Sequence, residues 1–331
     1  MKYCAFLLLL AAQVFGAESG LPDFLPPRTK VMIGVQLRHI LDSSLVRTAT
    51  AGTGAATALN SAALPLGAAP MAADWQKLVG LAGFDPFKDI DEVLIASTAQ
   101  GQNPRVLLVA RGSFNVERFS ANADRYHSVP MLRTAKGSNG TIALLDASTA
   151  VLGEVEEVQR AIDRRGNGRA PAASILATAS ALRGRYDIWG FGAGISDLTQ
   201  QSSQKGLESI DDFQFGVSVS HGIELSAEAH ARTPEDAAKL MQSMQFLRMM
   251  MAQQPGAEAV KLDIHEDRGT VKLSLAISEE ELKKAMEKQK QAQEKQQQAA
   301  AAKSKPAAPP PQIRQVNGGT GTVVLPGAKK P

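Results

Sequence analysis

Two short stretches of the sequence alternate in a way that lines up ionisable side chains. In residues 223–230, Glu224, Glu228 and His230 fall on one side of an extended chain, and Ile223, Leu225 and Ala227 on the other. The reason is that successive strand side chains point to opposite faces. Asp263 and His265 do the same in a later segment. If the two segments lay side by side, two imidazoles and two or three carboxylates would meet, a set suited to metal binding or general acid–base work. The candidate catalytic residues are therefore Glu228, His230, Asp263 and His265, and the activity they would serve is that of a metal-dependent hydrolase. The competing expectation is a solvated sheet face, where alternating charge is ordinary and Asp-x-His is no specific ligand spacing. That second expectation is preferred, so no metal, cofactor or firm catalytic residue is assigned. His39, His127 and His221 have no partner that the sequence identifies.

Other chemistry-bearing patterns are weaker. Met241, Met244, Met249, Met250 and Met251 crowd one segment, and thioethers select Cu(I). Met241, Met244 and Leu247 nevertheless follow the helical period, which predicts core packing. Ser202-Ser203-Gln204-Lys205 has the Ser-x-x-Lys spacing of penicillin-recognising enzymes without their Ser-Asp-Asn or Lys-Thr-Gly, and reads as a polar loop. Gly190-Phe191-Gly192-Ala193-Gly194 lacks the third glycine of a dinucleotide fingerprint and reads as a bulge or turn.

The N-terminus reads as a secretory signal peptide over residues 1–17. Lys2 supplies the charge, Phe6 with Leu7-Leu8-Leu9-Leu10 the apolar run, and Gly16 and Ala17 the small residues at the cleavage point. The run is too short to span a bilayer, which needs roughly 17–25 apolar residues. Cleavage removes Cys4, the only cysteine, and with it disulfides, thiolate catalysis and cysteine-based metal sites. The expected location is periplasmic or secreted. No later segment is apolar enough to cross a membrane, and a net charge of +3 on 331 residues does not favour nucleic acid.

The elements that must position these residues follow from periodicity. Residues 31–37 read as a buried strand, residues 49–73 as a small-residue loop, and Trp75, Leu78, Val79 and Leu81 as a helical face. Strands at 93–96 and 105–109 precede a helix capped by Ser113 and carrying Val116, Phe119, Ala123 and Tyr126. Strands at 141–145 and 150–152 lead into a helix from Glu154. The second part repeats this order, and Ile210-Asp211-Asp212-Phe213 echoes Ile90-Asp91-Glu92-Val93. Thr233-Pro234 starts a helix, and Ser278 with Glu281 forms a capping box for a last one. The expected fold is α+β, in two similar halves (28–170 and 171–290), each strand-helix-hairpin-helix-hairpin-helix with a largely antiparallel sheet. Residues 291–331, rich in Gln, Ala and Pro, read as a disordered tail.

The segment Gly83-Phe84-Asp85-Pro86-Phe87-Lys88-Asp89-Ile90-Asp91 ahead of a hairpin, with Ala150-Val151-Leu152-Gly153-Glu154 later, resembles uncharacterised bacterial exported proteins. The resemblance implies an envelope-associated scaffold and carries no activity. The function expected from the sequence is thus an exported, non-enzymatic binding or scaffolding protein for an unknown envelope or extracellular protein.

Overall fold

The computed structural model describes residues 20–50, 82–98, 105–121, 123–133, 140–165, 170–193, 209–253 and 257–284, with isolated residues beside them. Residues 1–17, expected to be a signal peptide, the stretch 51–81, the Ser202–Lys205 tetrad and residues beyond 291 lie outside. The chain divides into two units, Met1–Leu282 and Lys283–Pro331, and the elements named here belong to the first.

Among the described residues twelve strands form one sheet. They are β1 (Val31–Val35), β2 (Ile90–Ser97), β3 (Val106–Gly112), β4 (Asp124–Tyr126), β5 (Val129–Arg133), β6 (Gly140–Leu144), β7 (Thr149–Glu154), β8 (Ile188–Ala193), β9 (Ile210–Ser218), β10 (Gly222–Ala231), β11 (Lys261–Asp267) and β12 (Thr270–Ser278). Every neighbouring pair is antiparallel. Helices among the described residues include α1 (Leu37–Asp42), α2 (Ser44–Thr50), α3 (Pro86–Asp89), α4 (Val116–Ser120), α5 (Val155–Arg164), α6 (Ala173–Arg183) and α7 (Pro234–Ala252). The protein is therefore α+β around a large antiparallel sheet.

Strand order runs outward from a central β1–β8 pair: β2-β3-β7-β6-β5-β4 on one side and β9-β10-β12-β11 on the other. Each arm has one bulge near the start of its first outward strand. Ile90 and Glu92 face the consecutive residues Gly112 and Arg111, leaving Asp91 extra. Ile210 and Asp212 face Ala231 and His230, leaving Asp211 extra. An extra residue of this kind bends a strand and re-aims its side chain. Asp91 meets Arg38 and Asp211 meets Arg232, each at 3.0–3.1 Å.

Registry explains what each face buries. One row across the sheet runs Ile95, Ile33, Gly190, Phe215, Ala227, Leu273, Ile264. The next row, on the opposite face, runs Leu94, Gly34, Trp189, Gly216, Ser226, Ser274, Asp263. The first row is apolar throughout; the second turns polar beyond Trp189. In the β1–β7 arm both faces are covered. Leu107, Val109 and Val151 pack on one face with Val158 and Ile162 of α5 and Ala179 and Leu182 of α6. Leu108, Ala110 and Leu152 pack on the other with Phe114 and Phe119. In the β8–β12 arm, α7 covers the apolar face through Ala237, Leu240, Met241 and Met244, which meet Ile210, Ala229, Ile264 and Val271.

Glycines let aromatics lie on the central strands. A Cβ on Gly34 would sit 2.3 Å from the Trp189 indole, and one on Gly190 would sit 2.6 Å from Phe215. The Gly190–Gly192 segment is thus part of regular strand β8, not the bulge or turn its glycines suggest. The helix expected to reach Tyr126 also ends early. Asn115, not Ser113, caps it, accepting from Arg118 N at 2.9 Å. Asp124–Tyr126 instead pairs with β5 as a short strand, across a turn in which His127 and Ser128 have positive φ.

Candidate functional site

The polar face of β9, β10, β12 and β11 is where the sequence places its candidate residues, and pairing fixes how far apart they are. β12 lies between β10 and β11, so the two candidate strands are not neighbours. Glu228 and His265 both stand opposite Lys272, one row across three strands. His230 stands opposite Thr270, and Asp263 opposite Ser274. Two strand spacings separate β10 from β11, roughly 10 Å, with the Lys272 position between Glu228 and His265.

Each candidate has its own local partner. Glu228 accepts from Gln214 Nε2 at 2.8 Å. His230 Nδ1 is 2.8 Å from the Thr270 hydroxyl. His265 Nδ1 lies 3.2 Å from Asp263 Oδ2, and both side chains are more than half exposed. The structure thus brings Asp263 to His265 and leaves Glu228 and His230 apart from them. Among the described residues no three His, Cys, Asp or Glu side chains are grouped as an ion would need. Of the remaining histidines, His39 lies 3.8 Å from Asp187 and His127 3.6 Å from Asp163.

Two open grooves mark this face. One of about 460 Å³ is bounded by Ile175 of α6, Phe191, Asp212, Gln214, Glu228 and His230. The other, of about 670 Å³, includes Arg185, Tyr186, Glu224, Ser226, Lys261 and Asp263. Asp212, cross-strand from His230, is the carboxylate that alternation in β10 and β11 alone does not reveal. Two residues from Gln214 in unbroken register, it shares that side chain's face by ordinary alternation along β9.

The more unusual surface is on α7. Thr233 caps the helix, accepting from Asp236 N at 3.1 Å, and Pro234 opens it. Its first half is amphipathic, with Ala237 and Leu240 buried. From Gln245 to Met250 every residue is exposed. Phe246 is 61% exposed, Leu247 45%, Met249 59% and Met250 51%. Leu247, expected in the core, is therefore outside it. The sequence carries the signal: Phe246, Leu247, Met249, Met250 and Met251 span more than one helical face, and a single sheet can bury only one. No other large hydrophobic side chains among the described residues are exposed in this way.

No helix among the described residues is long and apolar enough to cross a membrane. No protein-family model matches this sequence, and no curated protein matches it. Among solved structures, the chain is similar to crystal form I of TP0453 at 10% identity and a TM-score of 0.45, over 79% of this chain and 94% of that one. Crystal form III of TP0453 is similar at 8% identity and a TM-score of 0.44, over 79% and 95%.

Proposed function

We propose that the chain is exported, loses residues 1–17, and acts in the periplasm or outside the cell as a non-enzymatic binding or scaffolding protein. Its contact surface is the C-terminal end of α7. The observation that carries this reading is the run Gln245–Met250, six consecutive exposed residues of which four are large and apolar. Exposed apolar groups gathered in one place are a common mark of a contact site, whereas scattered ones are not. Methionine suits such a surface because its unbranched thioether adapts to differently shaped partners.

The test replaces Phe246, Leu247 and Met250 together by Ser. Since these side chains are already exposed, thermal unfolding should stay close to the parent's. Co-fractionation with the cell envelope should fall. Unchanged co-fractionation would remove α7 as the contact surface. N-terminal sequencing of the protein recovered outside the cytoplasm checks export separately: a start after Gly16 or Ala17 supports it, and retention of Met1 contradicts it.

The two arms are read here as copies of one unit. The matching order of four outward strands, β2-β3-β7-β6 against β9-β10-β12-β11, and the matching bulges at Asp91 and Asp211 support this, with β5 and β4 added to the first arm. An alignment of relatives, half against half, should superpose those two aspartates; an alignment that separates them would contradict the duplication.

A further inference from the structure

β11 is the outermost strand of its arm, and among the described residues its only sheet partner is β12. A seven-residue open edge offers a row of unpaired backbone groups to another strand. Lys261, Asp263, His265 and Asp267 alternate along it on the polar face. Asp263, His265 and Asp267 expose 73%, 58% and 63% of their side chains. Their order is complementary on reversal about Ile264: Lys261 mirrors Asp267, and Asp263 mirrors His265.

We propose that β11 is a self-recognition edge through which two copies of the chain pair antiparallel about a two-fold axis at Ile264. In that register Lys261 stands opposite Asp267 of the second copy and Asp263 opposite its His265, and symmetry makes each pair twice. Directly opposed unlike charges favour an antiparallel pair and like charges disfavour it. The neighbouring registers fail on this count. Centred on Asp263, that carboxylate meets its own copy. Centred on His265, Asp263 meets Asp267 and His265 meets itself. Registers centred between residues would set charged positions against Leu262 and Ile264. Registers centred on Leu262 or Glu266 also oppose unlike groups but pair three residues of the strand, whereas the Ile264 register is complementary along the polar face over all seven, at the expense of Leu262 standing opposite Glu266 on the other.

The other end of the sheet does not offer an equivalent edge. β4 is three residues long, a length that blunts an edge against pairing. A two-fold contact also consumes both β11 edges and closes on itself, giving a dimer and not a fibre. This inference is independent of the helix-end reading, since it rests on β11 alone.

Sedimentation equilibrium of the full exported chain tests it, with Lys261→Asp, Asp267→Lys, and the two combined. The parent should dimerise. Each single reversal should weaken the dimer by about tenfold or more, and the combined exchange, which restores unlike pairs, should recover it. Circular dichroism spectra should be unaltered, as Lys261 and Asp267 are exposed and their reversal leaves the fold intact. A parent that stays monomeric, or a dimer indifferent to the single reversals, would overturn the proposal. So would a dimer abolished by Phe246→Ser with Met250→Ser, which would place the second copy on α7 instead.

Discussion

At the scale of single residues, the structure turns on a few tightly constrained contacts. Gly34 lies flat beneath Trp189, which is 1% exposed. Gly34→Ala would force the indole off β1, and overpacking of this kind costs about 1–3 kcal/mol; denaturant unfolding should show that loss. Asp146 gives a pH-dependent check. Burial raises its carboxyl, but bonds from the Ser148 hydroxyl and amide, the Thr149 hydroxyl and the Arg165 charge together bring it below its usual 3.8. A carboxyl depressed in the fold stabilises above its ordinary pKa and loses that contribution as pH falls through the folded value. Asp146→Asn should therefore lower stability at neutral pH and flatten its decline below about pH 4. An unchanged acid limb would show that Asp146 does not contribute.

At the scale of elements, local signals were legible and their limits were physical. Thr233-Pro234 marks the start of α7 because a hydroxyl acceptor and a fixed φ suit that position; Thr233→Ala should cost about 1 kcal/mol, read from a thermal melt. Between β11 and β12, Arg268 and Gly269 take positive φ of 51° and 83° as a tight hairpin demands. Period-two alternation likewise put Glu228, His230, Asp263 and His265 on one face. It could not say that β12 would come between the two strands, because strand order is set by long-range pairing. The candidate site depended on that order. α7 shows the converse: helical period marked Met241 and Met244 for burial, but where the sheet stops beneath the helix is a tertiary fact, and Leu247 falls beyond it.

At the scale of the molecule, the two arms are joined at β1–β8 and tied again by side chains. Arg183 at the end of α6 grips Glu92 of β2 with two bonds of 2.6 and 2.9 Å. Glu92 is nearly buried, while half of the Arg183 side chain meets solvent. The hydrogen bond to Glu92 raises the Arg183 pKa, and burial works against it. Gln36 bonds the carbonyls of Arg183 and Tyr186, each at 2.8 Å. Arg183→Ala would leave the Glu92 carboxylate buried without its partner. Discounted for the exposure of Arg183, the cost is about 2 kcal/mol, and it should be measurable as a lower midpoint for unfolding of the whole sheet. The sequence held both residues but no sign of their meeting, which β1 sets by lying between β8 and β2.

The reading of the protein as a contact module rests on the end of α7. The most direct measurement places a photo-crosslinking side chain at Phe246, Leu247 or Met250 of the protein in intact cells, with Gln242, Ser243 and Thr178 as comparison positions. The account predicts discrete adducts from the three end positions and none from Thr178, with Gln242 and Ser243 weaker because that part of the helix is polar. No adduct from any of the three, or the same adducts from Thr178, would contradict it.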